Sequence, residues 1–142
     1  MPEHRLQVLD EQDCLSLLQK RHLGRLAFVE EGLPTILPVN YILVDGRVVF
    51  RTDSGGKLEA ATRDQPMAFE IDGIDVADRS GWSVLVRGHG ERVNGPDELA
   101  LLRTLPLVAW APGAKAHYVR ISAAEVTGRR ISARELPSQW WG

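Results

Sequence analysis

Residues 35–58 read TILPVNYILVDGRVVFRTDSGGKL, and this stretch decides the fold class. Two runs rich in β-branched and apolar residues flank Asp45–Gly46, a dipeptide that is a strong signal for a β-hairpin. The second run ends in Arg51 and Thr52, passes through two glycines and leads into a helical pattern that begins at Lys57. The stretch therefore predicts two antiparallel strands followed directly by a short helix.

Similar patterns recur along the rest of the chain, so the architecture can be predicted as a whole. Residues 73–80 are polar and predict a loop, and the glycines near residue 88 indicate a β-bulge or a bend. The predicted strands are Gly24–Val29, Leu33–Val44, Arg47–Thr52, Met67–Asp72, Trp82–Val93 and Tyr118–Val126; the predicted helices are Asp10 to about Lys20, Lys57–Arg63 and Pro96–Leu105. Six strands, three small helices and tight hairpins predict a mainly β protein, a closed or half-closed antiparallel barrel forming one domain over residues 1–142.

Composition bounds the class of protein. The net charge of −2 argues against a general electrostatic footprint for nucleic acid. Cys14 is the single cysteine, so no internal disulfide can form, which favours a reducing compartment. Residues 1–13 lack the apolar core of a signal peptide, and no apolar run approaches the roughly 18 residues that span a bilayer. We therefore expect a soluble, cytoplasmic domain that binds neither membrane nor nucleic acid.

The segment RTDSGGKL has the composition of a phosphate site. Arg51 and Lys57 supply two cations, Thr52 and Ser54 supply two hydroxyls, and the glycines expose backbone N–H groups where a helix begins. These are the groups that hold a phosphate monoester. The alternative is a polar turn whose arginine and lysine are merely solvated.

Two other segments are candidates for contact with a planar ring. Pro38 interrupts a strand pattern, and Asn40 and Tyr41 follow it with an amide and a phenol; alternatively, Asn40 bonds a neighbouring loop. Trp82 and Ser83 open the longest predicted strand, where an indole can line a ring pocket or can be a core or dimer contact.

Three further tryptophans lie near the end of the chain. Trp110 is in a loop that contains proline and glycine, and Trp140 and Trp141 are adjacent in the terminal segment. Two neighbouring indoles would leave a large apolar patch if exposed, so we expect at least one of them to pack on a partner chain.

Several familiar sites are excluded. Gly55–Gly56–Lys57 is not a P-loop, because Leu58 replaces the Ser or Thr that would hold magnesium. The four histidines lack zinc-ligand spacing, and Cys14 lies on the apolar face of a predicted helix. No pair of carboxylates is singled out for acid–base catalysis, and no metal site is expected.

Five segments in this order resemble the flavin-binding split-barrel family related to pyridoxamine phosphate oxidase, in its small actinobacterial-type branch. They are LGRLAFV, LPVNYILVDGRVVFRT, GGKL, GWSVLVRGHGERV and HYVRISAAEVTGRRI. The resemblance implies a six-stranded split barrel and a homodimer with two FMN sites at the subunit interface. Some relatives bind a deazaflavin or haem instead.

The resemblance also implies a set of cofactor-binding residues. Phosphate contacts fall on Arg51, Thr52 and Lys57, with Ser54 beside them; contacts along the ring fall on Pro38, Val39, Asn40, Tyr41, Trp82, Ser83 and Val84, and Trp110 matches a contact from the second subunit. The chain is shorter than true pyridoxamine phosphate oxidases and lacks their Arg/His cluster near the C-terminus, so oxidation of that vitamin is not implied.

Three functions follow as hypotheses. The first is an FMN-dependent oxidoreductase acting on a small molecule, in which the cofactor carries the electrons and no side chain need be a conventional catalyst. The second is a non-catalytic carrier or sensor that binds a flavin, a deazaflavin or haem. The third is a barrel for single-stranded nucleic acid, which the low aromatic content of 6% and the slightly negative charge disfavour.

Overall fold

The structure is a computed structural model that describes residues 6–111, 113 and 115–132. Strands dominate, and three short helices connect them. In chain order the elements are β1 Leu6–Leu9, α1 Glu11–Gln19, β2 Leu23–Glu30, β3 Leu33–Val44, β4 Arg47–Thr52, α2 Gly56–Thr62, β5 Pro66–Asp75, β6 Ser80–Arg92, α3 Pro96–Leu102 and β7 His117–Ile131. The expected packing of Trp140 and Trp141 falls outside the described residues.

Six of the strands close into an antiparallel barrel in the order β7-β4-β3-β2-β5-β6, with β6 pairing back onto β7. The fold class predicted from the sequence is therefore confirmed. The strand β1 adds to the barrel by pairing with the end of β7, where Leu6 lies opposite Ile131. A register shift between Arg87 and Gly88 of β6 forms the bulge that the glycines indicated.

Alternation along each strand builds the interior of the barrel. Residues two apart share a face of a strand, so every second side chain turns inward. The interior residues include Leu26, Phe28, Val39, Tyr41, Val48, Phe50, Phe69, Ile71, Val84, Val86, Val119 and Ile121. Outside the barrel, α3 and the segment after it form a second cluster on β4 and β7, which contains Val49, Val93, Leu102, Leu107 and Tyr118. This outer cluster holds the segment after α3 against the end of β4.

The β3–β4 hairpin forms as predicted. Val44 lies opposite Arg47, so only Asp45 and Gly46 form the connection. Their φ angles are +51° and +76°, the left-handed values that a two-residue type I′ loop requires at both positions. Glycine adopts such angles without steric penalty, and aspartate tolerates them better than most residues.

The strand β3 is shared between two neighbours that separate along its length. Residues 33–40 pair with β2, whereas residues 41–44 pair with β4. In the same way, Arg51 and Thr52 at the end of β4 pair with β7 and have left β3. This separation is the split in the barrel. Pro38 lies in the half of β3 that has a single neighbour, as a residue without an N–H requires.

One strand was missed and one expectation was wrong. The strand β1 was not predicted, because a four-residue strand gains its stability from pairing with β7 and has little pattern of its own. Residues 73–80 were predicted to be a loop, but β5 continues to Asp75 and β6 begins at Ser80, which leaves a tight turn of four residues between them. Backbone pairing extends these strands beyond the apolar residues that signalled them. No helix in the described part of the chain is long and apolar enough to span a membrane.

An ion cluster lies on the outer face of β2 and β5. The Nη1 atom of Arg25 is 3.4 Å from Oε1 of Glu70 and 3.1 Å from Oδ2 of Asp72. Partial burial raises the pKa of Glu70 to about 7, and the hydrogen bond and charge of Asp72 act in the same direction, while Arg25 opposes them.

Glu70→Gln should therefore remove a pH dependence of stability. The folded protein holds the Glu70 proton to higher pH than the unfolded chain, whose pKa is near 4.5. The resulting stabilisation is complete below that value and is lost as the pH rises through about 7. We expect the melting temperature of the wild type to fall relative to the variant between about pH 5 and about pH 8. A constant difference between the two proteins across that range would contradict the prediction.

Candidate functional site

A cavity of about 260 Å³ lies at the split in the barrel. It brings together parts of β3, β4, α2 and the segment between α3 and β7, which we call the α3–β7 loop (residues 103–111, 113, 115 and 116). Six predicted cofactor residues line the cavity, namely Pro38, Val39, Asn40, Arg51, Lys57 and Trp110. Leu23, Leu107, Ala109, Ala111 and Lys115 complete the lining.

Arg51 fastens the α3–β7 loop to β4. Its Nε–H donates to the carbonyl of Lys115 at 2.9 Å, and Nη1 donates to the carbonyl of Leu107 at 3.4 Å. The guanidinium carbon lies 5.4 Å from the centre of the Tyr118 ring. A guanidinium has five N–H donors. The three that remain have no protein partner among the described residues, so Arg51 is both fixed in place and able to donate to an anion.

Lys57 is a half-buried cation at the start of α2. Burial lowers its pKa, and the charge of Lys115 lowers it further, whereas Asp53 and Glu30 oppose the shift. No carboxylate of the described chain lies within ion-pair distance of Lys57. A buried charge without a close partner is unfavourable, so an anion in the cavity would stabilise it.

Lys115 is a third cation at the cavity, and it was not predicted from the sequence. Its side chain is only 14% exposed, and Nζ lies 3.3 Å from Oδ2 of Asp53, whose side chain is 52% exposed. The residue lies in the irregular α3–β7 loop, far along the chain from Arg51 and Lys57. In the sequence, Lys115 follows a glycine and an alanine in a segment without periodicity. Its position at the cavity therefore depends on the tertiary fold.

Asn40 joins β3 to the same loop. The backbone N–H of Trp110 donates to Oδ1 of Asn40 at 2.8 Å, and Nδ2 of Asn40 donates to the carbonyl of His22 at 3.4 Å. The alternative interpretation of Asn40, a bond to a neighbouring loop, is therefore present in the structure. The indole of Trp110 is 70% exposed at the mouth of the cavity.

The other predicted residues near this site have different surroundings. Thr52 is buried, and its hydroxyl donates to the carbonyl of Asp53 at 3.2 Å. Ser54 is exposed in the turn between β4 and α2. The side chain of Tyr41 is in the barrel core, where its hydroxyl donates to the carbonyl of Leu18 at 2.6 Å and burial raises its pKa. The phenol of Tyr41 is therefore committed to the core.

The segment 82–84 does not line this cavity within one chain. Trp82 borders a separate, open cavity of about 880 Å³, where the guanidinium of Arg21 lies 4.9 Å from the centre of its ring. Ser83 is half-buried, and Val84 is part of the barrel core.

The chemistry of the cavity favours an anion. Arg51, Lys57 and Lys115 meet there, and the carboxylates of Asp53 and Glu30 are near enough to raise the pKa of Lys57. The lining contains neither a histidine nor a carboxylate that could act as a general acid or base. Within the described ranges, no group of three or more His, Cys, Asp or Glu residues could hold a metal ion. Charge-assisted hydrogen bonds to a phosphate are what this arrangement can form.

A family model described as pyridoxamine 5′-phosphate oxidase matches residues 10–130. The chain belongs to this family. The match runs from α1 to Arg130 in β7 and includes every residue that lines the cavity at the split.

Three similar proteins come from Mycobacterium and Corynebacterium species. The uncharacterized protein Rv0080 of Mycobacterium tuberculosis is 38% identical over 130 residues, which are 88% of this chain and 85% of that protein. A provisionally assigned pyridoxamine 5′-phosphate oxidase of Corynebacterium glutamicum has a TM-score of 0.76 and 35% identity, covering 92% of this chain and 96% of the other. The structure of the FAD binding protein from Mycobacterium smegmatis has a TM-score of 0.73 and 32% identity, and the match covers 89% of this chain and 98% of that protein.

A haem binding protein of Mycobacterium smegmatis has the same fold, with a TM-score of 0.68 and 20% identity. At that identity the likeness shows the fold alone.

Asn40→Ala should loosen the α3–β7 loop at Trp110. The variant removes the acceptor of the Trp110 N–H, and a net hydrogen bond contributes about 0.5–1.5 kcal/mol. We expect the Trp110 amide to exchange with solvent roughly two- to tenfold faster. Asn40→Asp keeps an oxygen acceptor and should retain slow exchange, and the Phe50 amide in β4 serves as an internal control. Unchanged exchange at Trp110 in Asn40→Ala would contradict the role assigned to this contact.

Proposed function

We propose that this protein binds a flavin nucleotide through its phosphate at the split in the barrel, and that the bound flavin carries out redox chemistry on a small molecule. One observation carries the proposal. Arg51 and Lys57, which the sequence singled out together, line the same cavity, and the Lys57 ammonium has no carboxylate within ion-pair distance in the described chain. A phosphate supplies the missing charge.

The residues present fit that group. The free N–H groups of Arg51 can donate to phosphate oxygens while its other donors keep the α3–β7 loop in place. Lys57 contributes a second charge from α2, and Ser54 is exposed in the turn between the two. Thr52 is buried and its one O–H donates to the carbonyl of Asp53, so Thr52 would have to give up that bond in order to donate to a phosphate. FMN is the cofactor we propose, because it is the flavin that ends in a phosphate monoester.

Haem and a deazaflavin are the alternative cofactors. Haem iron is usually held by His, Cys, Met or Tyr. None of these residue types lines the cavity in the described part of the chain, which argues against haem at this site. The FAD-binding relative supports a flavin. The absorption spectrum of the purified protein distinguishes the three, since a flavin, a deazaflavin and haem absorb at different wavelengths.

When bound, the flavin would supply the electron-transfer chemistry. The residues of the chain would hold the phosphate, orient the flavin ring along Pro38–Asn40 and exclude water from the split. The absence of a histidine or carboxylate in the described lining agrees with chemistry carried by the cofactor. A non-catalytic flavin carrier is the second candidate for the same reason. Reduction of the bound flavin by a nicotinamide donor would favour the oxidoreductase.

We further propose a homodimer, because one chain provides only part of the site. Pockets for drug-sized ligands usually have roughly 300–1,000 Å³, and this cavity has about 260 Å³. Two apolar residues of its lining, Leu23 and Trp110, are exposed, and so are Leu37 and Val108, which are chain neighbours of lining residues. A second copy would cover these side chains and enclose the flavin ring.

Arg51→Ala and Lys57→Ala should each weaken FMN binding and leave riboflavin binding nearly unchanged. Hydrogen bonds to a charged group contribute about 1.5–3 kcal/mol, so the loss should be roughly ten- to a hundredfold. Riboflavin has the same ring without the phosphate and reports on the rest of the site. Lys20→Ala, at the exposed end of α1, controls for the loss of one positive charge. Fluorescence titration measures both ligands. Equal losses for FMN and riboflavin would mean that these residues only support the barrel.

The dimer should be visible by sedimentation at micromolar concentration, and its interface should exceed roughly 1,200 Å² in total. Trp110→Asp would place a charge at the mouth of the cavity and should shift the equilibrium towards monomer. A flavin-loaded wild type that sediments as a monomer would contradict the proposal.

A further inference from the structure

We propose that Lys115 is a further phosphate-binding residue, which Asp53 holds beside the cavity and which the phosphate engages together with Arg51 and Lys57. This inference rests on the proposed function of the same site, and it identifies a specificity-determining residue in the α3–β7 loop.

The first argument is the position of the Lys115 side chain. It lines the cavity and is much more buried than Asp53, its only carboxylate partner in the described chain. An ammonium has three N–H donors. One reaches Asp53 at 3.3 Å, and the other two have no partner among the described residues. A buried cation with unused donors beside a cavity has capacity for an anionic ligand.

The second argument is that the backbone of Lys115 is fixed by another residue of the site. Its carbonyl accepts the Nε–H of Arg51 at 2.9 Å. Arg51 therefore fixes the backbone position of Lys115, and both residues line the same cavity. A phosphate that binds Arg51 lies within the region that the Lys115 side chain borders.

The third argument is the mutual repulsion of the two lysines. Burial is the main cause that lowers the pKa of Lys57, and the charge of Lys115 adds to it. Two ammonium groups that repel each other across a cavity are both stabilised by an anion between them. Asp53 relieves part of this repulsion and therefore competes with the ligand for Lys115.

These contacts predict opposite effects for two variants of one ion pair. Lys115→Gln should weaken FMN binding by roughly tenfold, because it removes a charge-assisted bond, and should leave riboflavin binding unchanged. Asp53→Asn should strengthen FMN binding by a few fold, because it frees Lys115 for the phosphate. The gain should disappear in the double variant. Lys20→Gln, on the exposed end of α1, is the matched control for the lysine substitution.

The experiment is a titration of the full-length wild type, both single variants and the double variant with FMN and with riboflavin. A purely structural ion pair would instead weaken both ligands equally in Lys115→Gln, and that result would overturn the inference. Unchanged FMN affinity in Lys115→Gln would overturn it too. If Lys115→Gln does not fold, Asp53→Asn decides alone, since tighter FMN binding with unchanged riboflavin binding supports the inference and any other result contradicts it.

These titrations, taken together with those of Arg51→Ala and Lys57→Ala, separate this inference from the proposed function. If Arg51→Ala and Lys57→Ala discriminate FMN from riboflavin but Lys115→Gln does not, only the role of Lys115 is wrong. If none of the three variants discriminates between the ligands, the phosphate site itself is wrong.

Discussion

The separation of β2 and β4 along β3 is the constraint on which the rest of the molecule depends. One half of β3 pairs with β2 and the other half with β4, and β4 in turn leaves β3 for β7 at Arg51. On the other side of the barrel, β6 pairs back onto β7 and closes the sheet. The split leaves part of β3 with a neighbour on one side only, which is where Pro38, a residue without an N–H, can be accommodated. The split also opens the cavity where the cations meet.

The α3–β7 loop completes the site because it is bound to both sides of the split. The outer apolar cluster anchors the loop through Leu107. On the β4 side the Arg51 guanidinium donates to two of the loop's carbonyls, and on the β3 side the Asn40 oxygen accepts from the Trp110 N–H. Each of these polar groups is used in the scaffold and also borders the cavity. The family match, which runs from residue 10 to residue 130, includes all of the residues that line this cavity.

Local sequence patterns were sufficient for the barrel and for half of the site. Three features lie within one short stretch of sequence: the Asp45–Gly46 hairpin, the junction of β4 with α2, and the placement of Arg51 and Lys57 at one cavity. Within so short a stretch, turn residues and the alternation of apolar residues determine the local structure. Lys115 could not be predicted, because it reaches the cavity through an irregular loop that only tertiary packing positions. The strand β1 escaped prediction for a related reason, since its conformation depends on β7, more than a hundred residues later.

The most direct test of a phosphate site at the split is a crystal structure of the protein with FMN bound. We expect the phosphate oxygens within about 3.2 Å of Nη atoms of Arg51 and Nζ of Lys57, between the ends of β3 and β4. A phosphate bound elsewhere, for example in the larger cavity beside Trp82 and Arg21, with the cations at the split making no contact to it, would contradict the phosphate site that we propose.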